Sequence, residues 1–197
     1  MEPTKRRTPT GAAVLRQDLT DSIVDAALDE LAEKGYRGLS MDAVARRAGV
    51  GKSALYRRWP SKLEMAVSIV AALGVPLADV PDKGSFREDV RALLDAVQVW
   101  FEDPRLGPIF VDLLGVARQN EALGHALTEH LGEPRRAHGL RIVERAIERG
   151  ELPADLDREL ALDVFAAPVF WRLHVRREPV TAEYLDQVAD LVVKAFR

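Results

Sequence analysis

The sequence predicts an all-α protein, and three observations carry the prediction. Apolar residues recur at helical spacing along most of the 197 residues. No stretch alternates apolar and polar residues as a strand does, and no Asn-Gly or Asp-Gly hairpin turn occurs. Breakers such as Gly35, Gly49, Pro60, Pro104, Gly132 and Pro179 fall between the periodic segments.

The elements follow in order. Residues 1–16 are rich in Pro, Thr and basic residues and read as a flexible arm carrying Lys5, Arg6 and Arg7. A first helix from about Asp18 to Lys34 sets Leu19, Ile23, Ala27 and Leu31 on one face, and Gly35 stops it. Ser40 caps a short second helix in which Met41, Val44, Ala45 and Ala48 keep helical spacing. Gly49 ends that helix. A third runs from Lys52 to Trp59, where Pro60 forces the preceding residue out of helical geometry. Ser61 and Glu64 form a capping box for a fourth helix reaching about Leu73. Residues 74–84 are a linker. Ser85 and Glu88 open a helix ending near Glu102, and further helices cover about 105–118, 120–131, 134–149, 157–176 and 181–196. The expected domains are 1–16, 17–77 and 78–197.

Composition narrows the function. With no cysteine there is neither a disulfide framework nor a thiolate metal site, which suits a cytoplasmic protein. The longest apolar run, 162–173, is interrupted by Asp163, Pro168 and Arg172, so no membrane span is expected. No apolar stretch follows the basic arm, so no secretory signal is expected. The net charge of −3 is uneven: residues 1–62 hold 12 Lys or Arg against 8 Asp or Glu, and the remainder holds 16 against 23. That balance suits an anionic partner for the N-terminal third, or chance clustering on a solvated surface.

Ser40–Trp59 has the form of a helix-turn-helix, with Ala45 and Gly49 small enough for two helices to cross closely. At about 100° per residue, Leu55 and Trp59 face the core. The opposite face presents Ser53, Ala54 and Arg57, flanked by Tyr56 and Arg58, with Lys52 at the N-terminal end. Such donors suit phosphates and base edges; an ordinary solvated face is the competing reading.

The segment Gly35-Tyr36-Arg37-Gly38-Leu39-Ser40, followed by Ala48-Gly49-Val50-Gly51-Lys52-Ser53-Ala54-Leu55-Tyr56-Arg57-Arg58-Trp59-Pro60-Ser61-Lys62, resembles the DNA-binding domain of the tetracycline-repressor (TetR) family. The resemblance spans about residues 17–77. It implies that Lys52, Ser53 and Ala54 meet bases, and that Ser40, Tyr56 and Lys62 contact phosphate. Three departures stand out. Gly51 occupies a position where a serine cap is common, Ala54 replaces a frequent threonine, and Arg58 replaces a frequent aromatic. The arm has two readings, minor-groove insertion or a solubilising tail.

In the body, the helix at 157–176 is apolar nearly all round, which requires burial on more than one side. A second stripe, Leu185, Val188, Val192 and Phe196, lies on the last helix. The resemblance implies a homodimer through these two helices, fitting a palindromic operator in double-stranded DNA; the alternative is that both are simply the middle of one core. Pro168 is expected to kink its helix and open space. Trp100, Phe101, Phe110, Leu114, Phe165 and Val169 are candidate walls of a pocket for a largely apolar effector, with His125 or His174 as donors; plain core is the alternative. His125, His130, His138 and His174 show no metal-ligand spacing, and neither a phosphate loop, a nucleophile elbow nor a dinucleotide fingerprint occurs. No metal, cofactor or catalytic residue is expected. The reading is a sequence-specific DNA-binding regulator, a repressor released by a small molecule, with an enzyme or a ligand-free DNA binder as alternatives.

Overall fold

The computed structural model describes residues 11–196, with side chains from residue 19 onward. Lys5, Arg6 and Arg7 lie outside the described residues. The chain divides into two compact units, Met1–Ala66 and Val67–Arg197. All described regular structure is helical.

In the first unit, α1 spans Gly11–Gly38, starting well before Asp18. Ala12, Ala13, Leu15 and Arg16 are strong helix formers, and local propensity extends the helix through them. Gly35 breaks it at φ 66°, a left-handed conformation that suits glycine, and a single turn follows. Ile23, Ala27 and Leu31 are buried as their spacing requires, whereas Leu19 is 41% exposed. α2 covers Met41–Arg47, capped by Ser40, which accepts from the Ala43 N–H at 3.4 Å. α3 covers Lys52–Arg58. Each of these helices is only seven residues long, too short to persist alone. Val44 on α2 and Leu55 on α3, both wholly buried, tie them into the core with Leu28 and Tyr36 of α1. α4, Lys62–Gly74, begins in the first unit and ends in the second.

The second unit is organised around α5, Phe86–Glu102. α6 (Leu106–Ala117), α8 (Glu133–Glu148), α9 (Arg158–Phe170) and α10 (Ala182–Phe196) all pack on it. α7, Glu121–Leu127, continues into a wider π turn over Thr128–Gly132. The caps at Ser85, Asn120 and Asp157 each accept a backbone N–H three residues on. Gly107 lets α6 start against the end of α5: a Cβ there would lie 2.2 Å from the Phe101 carbonyl oxygen.

Pro168 does not break its helix. α9 continues past it to Phe170, and the departure comes afterwards, as a π turn over Trp171–Val175. Tyr184 on α10 donates its hydroxyl to the Pro168 carbonyl at 3.1 Å, holding the segment in place. The apolar stripe on α10 also differs from expectation. Leu185, Val188, Val192 and Phe196 are all buried within this chain, so they form part of its own core and not a face for a partner.

Asp89 is the one wholly buried carboxylate in the described body. It accepts from the Lys83 N–H at 2.7 Å and pairs with Arg149 at 3.1 Å and Arg145 at 3.4 Å, pinning the linker to α8. Asp89→Ala takes the buried acceptor from the Lys83 N–H and one partner each from Arg145 and Arg149, which keep Val80, Asp82 and Glu151. It is expected to lower stability by about 2–4 kcal/mol, measured as a shift in the urea unfolding midpoint.

Candidate functional site

The α2–α3 pair forms a helix-turn-helix, closed by Gly49 at φ 68°. The Val50 N–H donates to the Ala45 carbonyl at 2.9 Å, so the chain turns within three residues. α3 is anchored on one side only. Leu55 is buried and Trp59 is half-buried, while Lys52, Ser53, Tyr56, Arg57 and Arg58 are exposed and Ala54 is partly so. The exposed face therefore carries three cations, a hydroxyl and a phenol. Gly51 supplies no side-chain cap to α3.

The cations differ in their surroundings. Lys52 pairs with Asp42 of α2 at 2.6 Å, so an arriving phosphate competes with that carboxylate. Among the described residues Arg57 and Arg58 have no carboxylate partner; the Arg58 guanidinium lies 5.9 Å from the Trp59 ring. Ser40, at the start of α2, uses its oxygen for the cap and stays exposed. Lys62 is half-buried rather than free. Its ammonium donates to the Tyr36 and Arg37 carbonyls at 3.3 Å each and sits 4.9 Å from the Tyr36 ring. It closes the end of α1, and one of its three N–H bonds remains for an outside acceptor.

The second unit holds a cavity of about 620 Å³, within the range of small-molecule pockets. Of the sequence candidates, Trp100, Phe101, Phe110, Leu114 and Phe165 line it, and Val169 is wholly buried elsewhere. Rings dominate one wall: Trp100 and Phe110 lie 4.7 Å apart and Trp100 and Phe101 5.1 Å. Thr128, Leu131 and Gly132 of the wide turn also line it, and α8 approaches α9 closely at its edge, where a Cβ on Gly139 would meet Leu162 at 2.8 Å. Neither His125 nor His174 lines the cavity. His174 packs edge-on against Phe101 at 5.2 Å, and burial there pushes its imidazole below its usual pKa.

Arg135 is a lining residue that the sequence reading missed. It lies on the same stripe of α8 as Gly139 and Ile142, which are buried, in line with buried Leu131 of the preceding wide turn. A charge on an apolar stripe was the available signal. Its guanidinium stacks 4.7 Å over Trp100 and donates to the carbonyl of Gly74, the last residue of α4, at 2.5 Å. A Cβ on Gly74 would lie a tight 3.1 Å from both Trp100 and Leu131, so a larger residue there would push on these side chains.

Fold and site thus define a class of protein: a helix-turn-helix DNA-binding unit joined to a helical body that contains a cavity. Residues 23–69 match the bacterial regulatory proteins of the tetR family, and residues 80–192 match the tetracyclin repressor-like C-terminal domain. An HTH-type transcriptional regulator of Bacillus subtilis, YdeS, is 31% identical over 177 residues, covering 89% of this chain and 87% of its own. A DNA-binding transcriptional repressor of Mycobacteroides abscessus, TetR, is 32% identical over 174 residues, covering 87% and 90%. The crystal structure of the TetR-family regulator SCO0332 superposes with a TM-score of 0.73 at 26% identity, covering 91% of this chain and 99% of that one. The chain belongs to the TetR family and is a DNA-binding transcriptional regulator.

Lys62→Ala removes the donor that closes α1. It is expected to lower the stability of the first unit by about 1 kcal/mol even without DNA, measured by urea unfolding.

Proposed function

We propose that this regulator is a homodimeric repressor that binds a palindromic operator through α3 and is released by a small molecule held in the body cavity. The observation that carries the reading is the exposed basic face of α3, on which Arg57 and Arg58 lack carboxylates among the described residues while Lys52 pairs with Asp42. Lys52, Ser53 and Ala54, at the start of α3, are positioned to meet base edges. Ala54 offers a methyl contact to thymine but no hydroxyl. Ser40, Tyr56 and Lys62 take phosphates in this reading, while Arg57 and Arg58 supply further charge.

Two recognition helices one DNA turn apart require a two-fold dimer. The surface that fits is the outer side of the last two helices. Trp171 is 58% exposed, Leu191 62%, Leu160 54% and Val175 49%, a concentration of large apolar side chains that water does not favour. In this reading the dimer contact lies on the side of α10 opposite its buried stripe. Effector and operator oppose each other only if the effector binds the DNA-incompetent arrangement more tightly. The protein acts where the chromosome is, in the cytoplasm, and no single helix among the described residues is long and apolar enough to cross a membrane.

Two outcomes test this reading. Selection from random duplex DNA is expected to yield a palindrome, and Arg57→Ala is expected to weaken binding to it roughly ten-fold while flattening the salt dependence. Equal binding by the variant in a gel-shift titration would remove α3 from the interface. Leu191→Glu, at an exposed position, is expected to give a folded monomer by light scattering with unchanged helicity. Val192→Asp instead strikes the buried core and is expected to unfold the chain.

A further inference from the structure

Among the residues lining the cavity there are two arginines and one carboxylate. Arg136 pairs with that carboxylate, Asp163, at 2.7 Å, and with Glu159. Arg135 has no carboxylate partner among the described residues. Its interactions are the Gly74 carbonyl and the face of Trp100. One of its five N–H bonds is used on the carbonyl, which leaves four in a planar fork. The rest of the wall is apolar or aromatic, from Leu93 and Val97 to Phe110 and Phe170.

We propose that the effector is an apolar monocarboxylic acid, whose hydrocarbon or ring system fills the cavity while its carboxylate is held by Arg135. The inference rests on the cavity being the effector site, and it deepens that reading by naming the chemical class. A single uncompensated cation facing a low-dielectric space selects one negative charge, and a guanidinium selects a planar two-oxygen acceptor. Burial alone pulls the Arg135 guanidinium down to about 10, so it is still protonated at neutral pH and gains by meeting an anion. The same guanidinium holds the last carbonyl of α4. A carboxylate held by the remaining N–H bonds of Arg135 draws on the same guanidinium that fixes the end of that helix, which links the ligand to the position of the α4 C-terminus.

The test uses the full chain and the neutral fluorophore N-phenyl-1-naphthylamine as a cavity probe, displaced by matched pairs: decanoate with decanol, and 2-naphthoate with 2-naphthalenemethanol. Each alcohol leaves water more readily than its acid, so a site working by apolar burial alone favours the alcohol. The expected result is that in at least one pair the acid displaces the probe at roughly ten-fold lower concentration than the alcohol. Which pair responds distinguishes an aliphatic from an aromatic acid. Arg135→Gln is expected to abolish that preference while leaving the alcohol within about three-fold of its wild-type concentration. Decylamine, with the opposite charge, is expected to displace less well than decanol on the wild-type chain, a comparison that needs no variant. Preference for the alcohols in wild type, displacement by decylamine equal to decanoate, or an acid preference surviving in Arg135→Gln would each overturn the carboxylate assignment and leave the cavity reading standing. Failure of the neutral probe to bind at all would overturn the cavity reading itself, and this inference with it.

Discussion

The burial of α5 governs the body. Val90, Leu94 and Val97 are almost wholly buried, and Phe86, Trp100 and Phe101 add large rings at the two ends. α5 is amphipathic, with Glu88, Asp95, Val99 and Glu102 exposed, and its broad apolar face is covered by α6, α8, α9 and α10. Around Trp100, Phe101 and Phe110 the covering helices leave the cavity, and at the other end Phe86 and Phe165 meet at 6.4 Å between centroids. The same demand for burial thus produces both the solid part of the body and its hollow part.

The DNA-binding unit solves a different problem, that of displaying a helix while still holding it. A seven-residue helix has little stability of its own, and most of α3 is exposed to keep its polar face available. Its hold on the domain comes from Leu55, from the tight turn at Gly49 and from the neighbouring α2. Small residues carry this arrangement: Ala43 and Ala45 are buried on α2, and neither adds bulk where α3 crosses. The charged groups then settle by what surrounds them. Lys52 is compensated by Asp42, Lys62 by two carbonyls, and Arg57 and Arg58 by neither.

Charge is distributed with similar economy in the body. Asp89 is buried and has three donors, and the Arg87, Arg91 and Asp186 group ties α5 to α10 through exposed pairs of small individual worth. Arg135 stands apart because its neighbours are a ring and a carbonyl, which satisfy geometry without neutralising charge. Groups in that condition are retained where a binding partner completes them, and this one faces the cavity.

Much of this was legible in the chain of residues alone. The helices, the breakers at Gly35, Gly49 and Pro60, the caps at Ser40, Ser85 and the Ser61–Glu64 pair, and the exposed basic face of α3 all follow from local spacing and local hydrogen bonding. Aromatic residues at helical spacing also pointed to Trp100, Phe101 and Phe110. Spacing says which side of a helix is apolar, but not what covers it. For that reason the stripe of Leu185, Val188, Val192 and Phe196 was open to a partner in the sequence and turns out to face α5, while Leu191 and Trp171 carry the exposed apolar surface. Long-range contacts decided the rest. Lys62 reaches back across 26 residues to Tyr36, and Arg135 reaches 61 residues to Gly74. Local periodicity contains no information about partners at such separations, because they meet only once the helices have packed.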